Sequence, residues 1–302
     1  MASTSRPWEG KTGGGKWGKR YLYFILGMMN ATILYPILIL IVPFYMLFGR
    51  KKCRAIFCYF KDSYQMSGAK AFWNTFINYF IFAQIVVDKF AAIAGKAKSF
   101  SIEISTNDYV KSLVAQKKGF IIASSHIGNF ELGGYVFQQD ERELYALVYD
   151  GESHEYLQKR EAALQNVKIH FVSVKEDMSH LFLLKQALEE GNIVTMPCDR
   201  IFGSNKKIEI PFLGRDAAFP LGPFRFAAQL DVPVVALFVM KERLTKYKAY
   251  IIPIEADSEA KNSITKSAQL AKNFAKSCEE MLKKYPHQWF NYFDFWGNNL
   301  LI

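Results

Sequence analysis

Gly119-Phe120-Ile121-Ile122-Ala123-Ser124-Ser125-His126-Ile127-Gly128-Asn129-Phe130-Glu131 is the stretch that decides how this chain is read. An apolar run of strand length gives way to Ser-His, then to Gly-Asn, then to a carboxylate five positions beyond the histidine. A strand that ends in such a turn and leads into a helix puts His126 at a strand's carboxyl edge, where open α/β folds place their chemistry. A His-carboxylate pair there can take a proton from a hydroxyl or an amine. On this reading Glu131 reaches back to orient the imidazole and fix its tautomer, while the other ring nitrogen accepts the proton. Gly128 allows a ligand to approach the backbone closely, and Asn129 lies beside it. The plainer alternative is a satisfied core histidine. His154, His170, His180 and His287 have no comparable setting and read as surface or structural residues.

Downstream and upstream of this stretch, strand-like and helix-like segments alternate. Asn107 or Asp108 caps a helix through Lys117, and a helix follows Gly128. Glu143–Tyr149 reads as a strand, His154–Gln165 as a helix, and Val167–Val172 as a strand. Met178 to Leu188 has helical spacing and ends at Gly191. Asn192–Pro197 and Val232–Met240 are apolar strands, with a helix through Phe224–Leu230 before the second. Lys248–Ile254 is a late strand, and Ile264 to Leu282 mark one face of a closing helix. Such alternation predicts an α/β fold with a mainly parallel sheet flanked by helices.

The charge is concentrated at one end. Of a formal net charge of +10 over 302 residues, the first 54 positions hold nine basic side chains against one acid, Glu9. They bracket an uncharged run from Tyr21 to Gly49 instead of covering a folded face, which argues against a nucleic-acid partner. That run would measure roughly 43 Å as a straight helix, against a hydrocarbon core of ~30 Å. Pro36 and Pro43 predict a break or kink, and cations at both ends conflict with a single span. A re-entrant or interfacial hairpin facing anionic lipid meets both conditions; a buried core helix is the alternative. A second uncharged stretch, Ala71 to Val87, carries Phe72, Phe76 and Phe80 at helical spacing. It reads as core, as a membrane-dipping helix, or as the wall of a lipid-chain channel. Residues 1–92 are thus expected to form a basic, apolar membrane-associated segment, and residues 93–302 an α/β domain. Cys53, Cys58, Cys198 and Cys278 have no metal-ligand spacing, so no metal and no cofactor is expected.

Two further candidates carry chemistry. At a second strand exit, Met196-Pro197-Cys198-Asp199-Arg200 leads into a turn with Lys206 and Lys207. Arg200 could stabilise an oxyanion or bind a phosphate; a surface Asp-Arg pair is the plainer reading. The aromatic run Pro286–Trp296 is either a core plug or an interfacial belt.

His126-Ile127-Gly128-Asn129-Phe130-Glu131 resembles the His-x4-Asp/Glu motif of glycerolipid acyltransferases, in the form found in the bacterial lipid A late acyltransferases. Phe212-Leu213-Gly214, Pro220, the strand Pro233–Phe238 and Tyr285-Pro286-x-Gln288-Trp289 follow in that family's order, and the apolar N-terminus is similar to its membrane anchor. The aromatic ending and the Cys198-Asp199-Arg200 turn look closer to acyltransferases of aryl polyene and flexirubin-type pathways. Tyr149-Asp150-Gly151-Glu152 stands where lipid A enzymes carry an Arg-Pro-type segment. The resemblance implies a membrane-bound O-acyltransferase at the cytoplasmic face of a bacterial inner membrane. It would move a fatty acyl chain from a thioester, on acyl carrier protein or coenzyme A, to a hydroxyl of a membrane lipid or glycolipid. His126 and Glu131 would be catalytic, with Gly128, Asn129, Asp199, Arg200, Lys206 and Lys207 around the substrate. The alternatives are a lyso-phosphate acyltransferase and a non-catalytic lipid-binding protein of the same fold. No oligomeric state follows from the sequence.

Overall fold

The computed structural model describes residues 25–26, 29–116, 118–137, 142–148, 158, 160–161, 168–175, 177–201, 206–260 and 262–297. The basic lead before Ile25 and most of the helix expected over His154–Gln165 lie outside the described residues.

Among the described residues a seven-stranded sheet forms the centre. Its strands are β1 (Ser101–Ser105), β2 (Phe120–Ser124), β3 (Leu144–Val148), β4 (Ile169–Ser173), β5 (Ile193–Pro197), β8 (Val234–Arg243) and β9 (Lys246–Ile254). The spatial order is β1-β9-β8-β2-β5-β3-β4. The five strands from β8 to β4 run parallel. β9 turns back antiparallel on β8, and β1 pairs parallel with β9. The mainly parallel α/β architecture read from the sequence is therefore the one observed. A separate antiparallel hairpin joins β6 (Lys207–Phe212) to β7 (Arg215–Pro220). Its two-residue turn, Leu213-Gly214, has positive φ at both positions, 51° and 80°, as a tight hairpin requires. The sequence pattern marks no strand at β1, β6 or β7.

Both faces of the sheet are covered, which is why β2, β5 and β8 read as continuous apolar runs. Along β2 the side chains alternate between two cores: Ile121 and Ala123 on one face, Phe120 and Ile122 on the other. The first face packs under α7 (Gly222–Leu230), α8 (Ser263–Lys284) and the C-terminal aromatics. α8 begins at Asn262, whose side chain accepts a hydrogen bond from Thr265 N, and it buries Leu270, Phe274, Cys278 and Leu282. α4 (Asp108–Ala115) is capped in the same way by Asn107, as predicted. α6 (Ser179–Glu189) connects β4 to β5.

The N-terminal helices are α1 (Ala31–Phe48), α2 (Arg50–Cys58) and α3 (Gly68–Ala91). The break expected at Pro36 or Pro43 does not occur: α1 continues through both prolines, and the chain breaks at Gly49. The prolines are seven residues apart on the exposed face, and each removes only one hydrogen bond from an otherwise intact ladder. Ala31, Tyr35, Leu38, Val42 and Met46 form the buried stripe of α1. The opposite stripe leaves Ile37, Leu40, Phe44 and Phe48 exposed.

α3 ties these helices to the far end of the chain. Buried Asn78 donates from Nδ2 to the carbonyls of His287 and Trp289, at 3.0 and 2.9 Å, and its Oδ1 accepts from the Tyr292 hydroxyl. Nearer the end of α3, Asp88 accepts from Tyr35 on α1 at 2.5 Å and pairs with Lys241 on β8 at 2.5 Å. Tyr247 on β9 completes this buried cluster through a hydrogen bond to the same carboxylate.

Candidate active site

β2 and β5 are neighbours, yet the chain leaves them in opposite directions across the sheet: β2 leads to β3 on one side, β5 towards β8 on the other. A crevice at the carboxyl ends of the strands is expected at such a switch point. The register places Ser124 opposite Pro197. Two residues beyond each lie His126 and Asp199.

Asp199 grips His126 twice. The His126 backbone N–H donates to Oδ2 at 2.8 Å, and ring Nδ1 lies 2.9 Å from Oδ1 and 3.1 Å from Oδ2. An ionised carboxylate can only accept, so Nδ1 carries the proton and Nε2 the lone pair. Nε2 has no hydrogen-bond partner among the described residues, and the imidazole side chain keeps 22% exposure while Asp199 keeps 4%. The Phe130 ring packs edge-on against it. Burial, reinforced by the Arg200 charge, holds the His126 pKa below the ordinary 6.5, with Asp199 opposing. Burial alone would raise Asp199, but His126 and Arg200 together bring it below the usual carboxylate value. The pair is thus a neutral imidazole backed by a carboxylate at neutral pH, the state a general base needs.

Glu131 does not orient His126, contrary to the sequence expectation. Its carboxylate is held by Lys89 at 2.6 Å and Arg160 at 2.7 Å and is 8% exposed. The helix expected after Gly128 is only a short turn, Phe130–Leu132, followed by α5 (Gly133–Val136). That turn carries Glu131 towards α3 instead of back to the imidazole.

The His126 loop is fixed on both sides. Phe290 N donates to His126 O at 2.9 Å, and Gly128 N to Gln288 O at 2.8 Å, so the C-terminal segment pairs with the loop on one edge. On the other, Asn129 N donates to Val239 O of β8 at 2.7 Å. Gly128 has φ +72°, and a Cβ there would collide with Val239 O, so the crossing requires glycine. Gln288 exchanges two side-chain hydrogen bonds with the Lys241 backbone, which locks its own position. The aromatic segment is therefore a core plug, with Trp289 at 2% exposure, that also forms one wall of the site.

Arg200 is held by this wall. Its Nε donates to Asn291 Oδ1 at 2.9 Å, its Nη2 to Phe290 O at 3.0 Å, and it lies over the Phe293 ring. Burial pulls the guanidinium down to about 10, with Asp199 opposing, so it stays charged at neutral pH. The structure thus gathers His126, Gly128, Asp199 and Arg200, whereas the Asn129 amide turns away to the Tyr247 hydroxyl of the buried Asp88 cluster. Lys206 and Lys207 are exposed at the start of the β6–β7 hairpin, Lys207 paired with Glu209. Phe76 and Phe80 stack with Trp73 along α3, but Phe72 is 58% exposed and does not join that stack. Cys198 is buried, and burial raises its thiol well above the ordinary value, so it is a poor nucleophile. Asn291 carries no signal of its own in the sequence; it sits in an aromatic run that reads as a core plug or an interfacial belt.

The family model for bacterial lipid A biosynthesis acyltransferase matches residues 70–296. The chain belongs to this family. It is an acyltransferase, and its matched span runs from α3 through both strand exits to the aromatic segment, with α1 and α2 outside it. No curated protein matches the acyltransferase. Among its described residues no group of three His, Cys, Asp or Glu side chains could hold a metal ion.

Proposed function

We propose that this acyltransferase moves a fatty acyl chain from a thioester to a lipid hydroxyl, with His126 as the general base. The Asp199–His126 contact carries this reading: it leaves Nε2 as an oriented, uncharged acceptor at the switch point of the sheet. The acceptor hydroxyl loses its proton to Nε2 as its oxygen attacks the thioester carbon. Asp199 stabilises the imidazolium that forms. Arg200 lies beside the base and supports the negative charge developing on the carbonyl oxygen. Glu131 is held between Lys89 and Arg160 instead of touching the imidazole. Direct transfer without an acyl-enzyme fits the protonated, buried Cys198 and the absence of a nucleophile turn at Ser124 and Ser125.

The membrane side of the reading rests on α1. Only 28% of this apolar helix is buried, whereas a core helix of a water-soluble domain is mostly covered. Its length of 18 residues corresponds to about 27 Å. Because one stripe packs on the rest of the protein, we place α1 along the membrane interface, with Phe72 and Trp73 exposed as α1 is and the cations Arg50, Lys51, Lys52 and Arg54 of α2 towards anionic headgroups. A donor on acyl carrier protein, which is acidic, suits a basic protein at the cytoplasmic face of the inner membrane. Purified His126→Ala protein should lose thioester-dependent transfer and keep vesicle binding. Transfer at the wild-type rate by that variant would overturn the assignment. Lipid mass spectrometry with and without the enzyme separates a glycolipid acceptor from a lyso-phosphate.

A further inference from the structure

Arg200 and Asn291 leave hydrogen-bond donors unused beside the base. A guanidinium has only donors, so Asn291 must turn its Oδ1 towards Arg200 Nε, as the 2.9 Å contact records. That fixes the amide and directs Nδ2 elsewhere. Asn291 is 2% exposed, and its Nδ2 has no hydrogen-bond partner among the described residues. A buried amide donor without an acceptor is costly, and such a group in a native fold calls for an explanation. Arg200 bonds through Nε and Nη2, and its Nη1 has no hydrogen-bond partner among the described residues. Both groups are placed by one strand-like segment: Phe290 N–H bonds to His126 O, Phe290 C=O accepts from Arg200, and Asn291 is the next residue.

We propose that Asn291 Nδ2, together with Arg200, binds the carbonyl oxygen of the acyl thioester and the oxyanion it becomes. The inference rests on the acyl-transfer reading. A carbonyl oxygen is the kind of acceptor these two donors lack, and its charge grows in the transition state. As the acceptor O–H attacks, the new C–O bond forms, the proton passes to His126 Nε2, and the C=O π pair moves onto the oxygen. Asn291 and Arg200 hold that oxyanion. Its collapse restores C=O and breaks C–S, and the leaving thiolate takes the proton back from His126.

Asn291→Asp is the informative variant, because it keeps an oxygen for Arg200 Nε and removes the Nδ2 donor. With the full chain in phospholipid vesicles, kcat should fall on the order of 10²-fold while the KM for the acceptor lipid stays constant. A second readout is binding of two inert donor mimics on coenzyme A or acyl carrier protein: a 2-oxoalkyl thioether, which has the carbonyl, and the plain alkyl thioether. Wild type should prefer the first about tenfold, and Asn291→Asp should lose that preference. An unchanged preference in the variant, equal binding of both mimics by wild type, or a loss confined to acceptor KM would overturn the proposal and leave acyl transfer standing. Wild type that binds neither mimic and transfers nothing would overturn both.

Discussion

Asp199 and His126 are joined at both the backbone and the ring, 2.8 Å from the amide nitrogen and 2.9 Å from Nδ1. One carboxylate therefore fixes the position of the loop and the tautomer of the base. An asparagine in its place would retain the shape and lose the charge. Asp199→Asn should lower kcat by about 10²–10⁴-fold with little change in the substrate's KM, measured by initial rates of acyl transfer.

The pH dependence follows from the same groups. In the proposed mechanism His126 must be neutral to act, and burial with the Arg200 charge holds its pKa below 6.5. Activity should be flat through neutrality and fall with unit slope on the acid side, with a midpoint under 6.5. Arg200→Gln removes a charge that disfavours the imidazolium, so its acid limb should move up. Asp199→Asn removes one that favours it, and its limb should move down. Profiles of kcat/KM for the three proteins check both signs.

His126 can be read directly from the sequence, but its partner cannot. A strand exit bearing His-x-Gly-Asn and another bearing Pro-Cys-Asp-Arg are each legible as local patterns. Their contact depends on β5 lying beside β2 in the register Ser124 to Pro197, which strand composition does not encode. Glu131 is nearer in sequence and so is the natural partner on spacing, but it would need a full helix after Gly128 to reach back. The strands β2, β5 and β8 are readable because apolar runs mark strands buried on both faces, and β3, β4 and β9 are readable from shorter, partly buried runs. β1, short and largely exposed, leaves no such mark. Asn291 is hidden because its role comes from contacts with Arg200, 91 positions away.

The buried Asp88–Lys241 pair, 0% and 5% exposed, joins α3 to β8, with Tyr35 and Tyr247 on the same carboxylate. Asp88→Asn would leave a buried ammonium without its counter-charge. It should cost about 3–5 kcal/mol of stability, seen as a lower midpoint in denaturant unfolding in detergent. Asp88→Asn with Lys241→Met should recover part of that loss.

Membrane docking through α1 predicts that a charge on its exposed stripe weakens binding without unfolding the body. Leu40→Asp with Phe44→Asp, both more than half exposed, should reduce sedimentation with anionic vesicles several-fold while leaving the circular dichroism spectrum intact. Lys51→Glu with Lys52→Glu should weaken binding chiefly at low salt, since screening removes exposed charge attraction.

The most direct test of the account is ¹⁵N NMR of the His126 imidazole across pH in three proteins. In wild type the spectrum should report a proton on Nδ1 and a pKa below 6.5. Glu131→Gln should leave the tautomer unchanged, and Asp199→Asn should lower the pKa further and relax the tautomer. A tautomer that changes with Glu131→Gln and ignores Asp199→Asn would contradict the account.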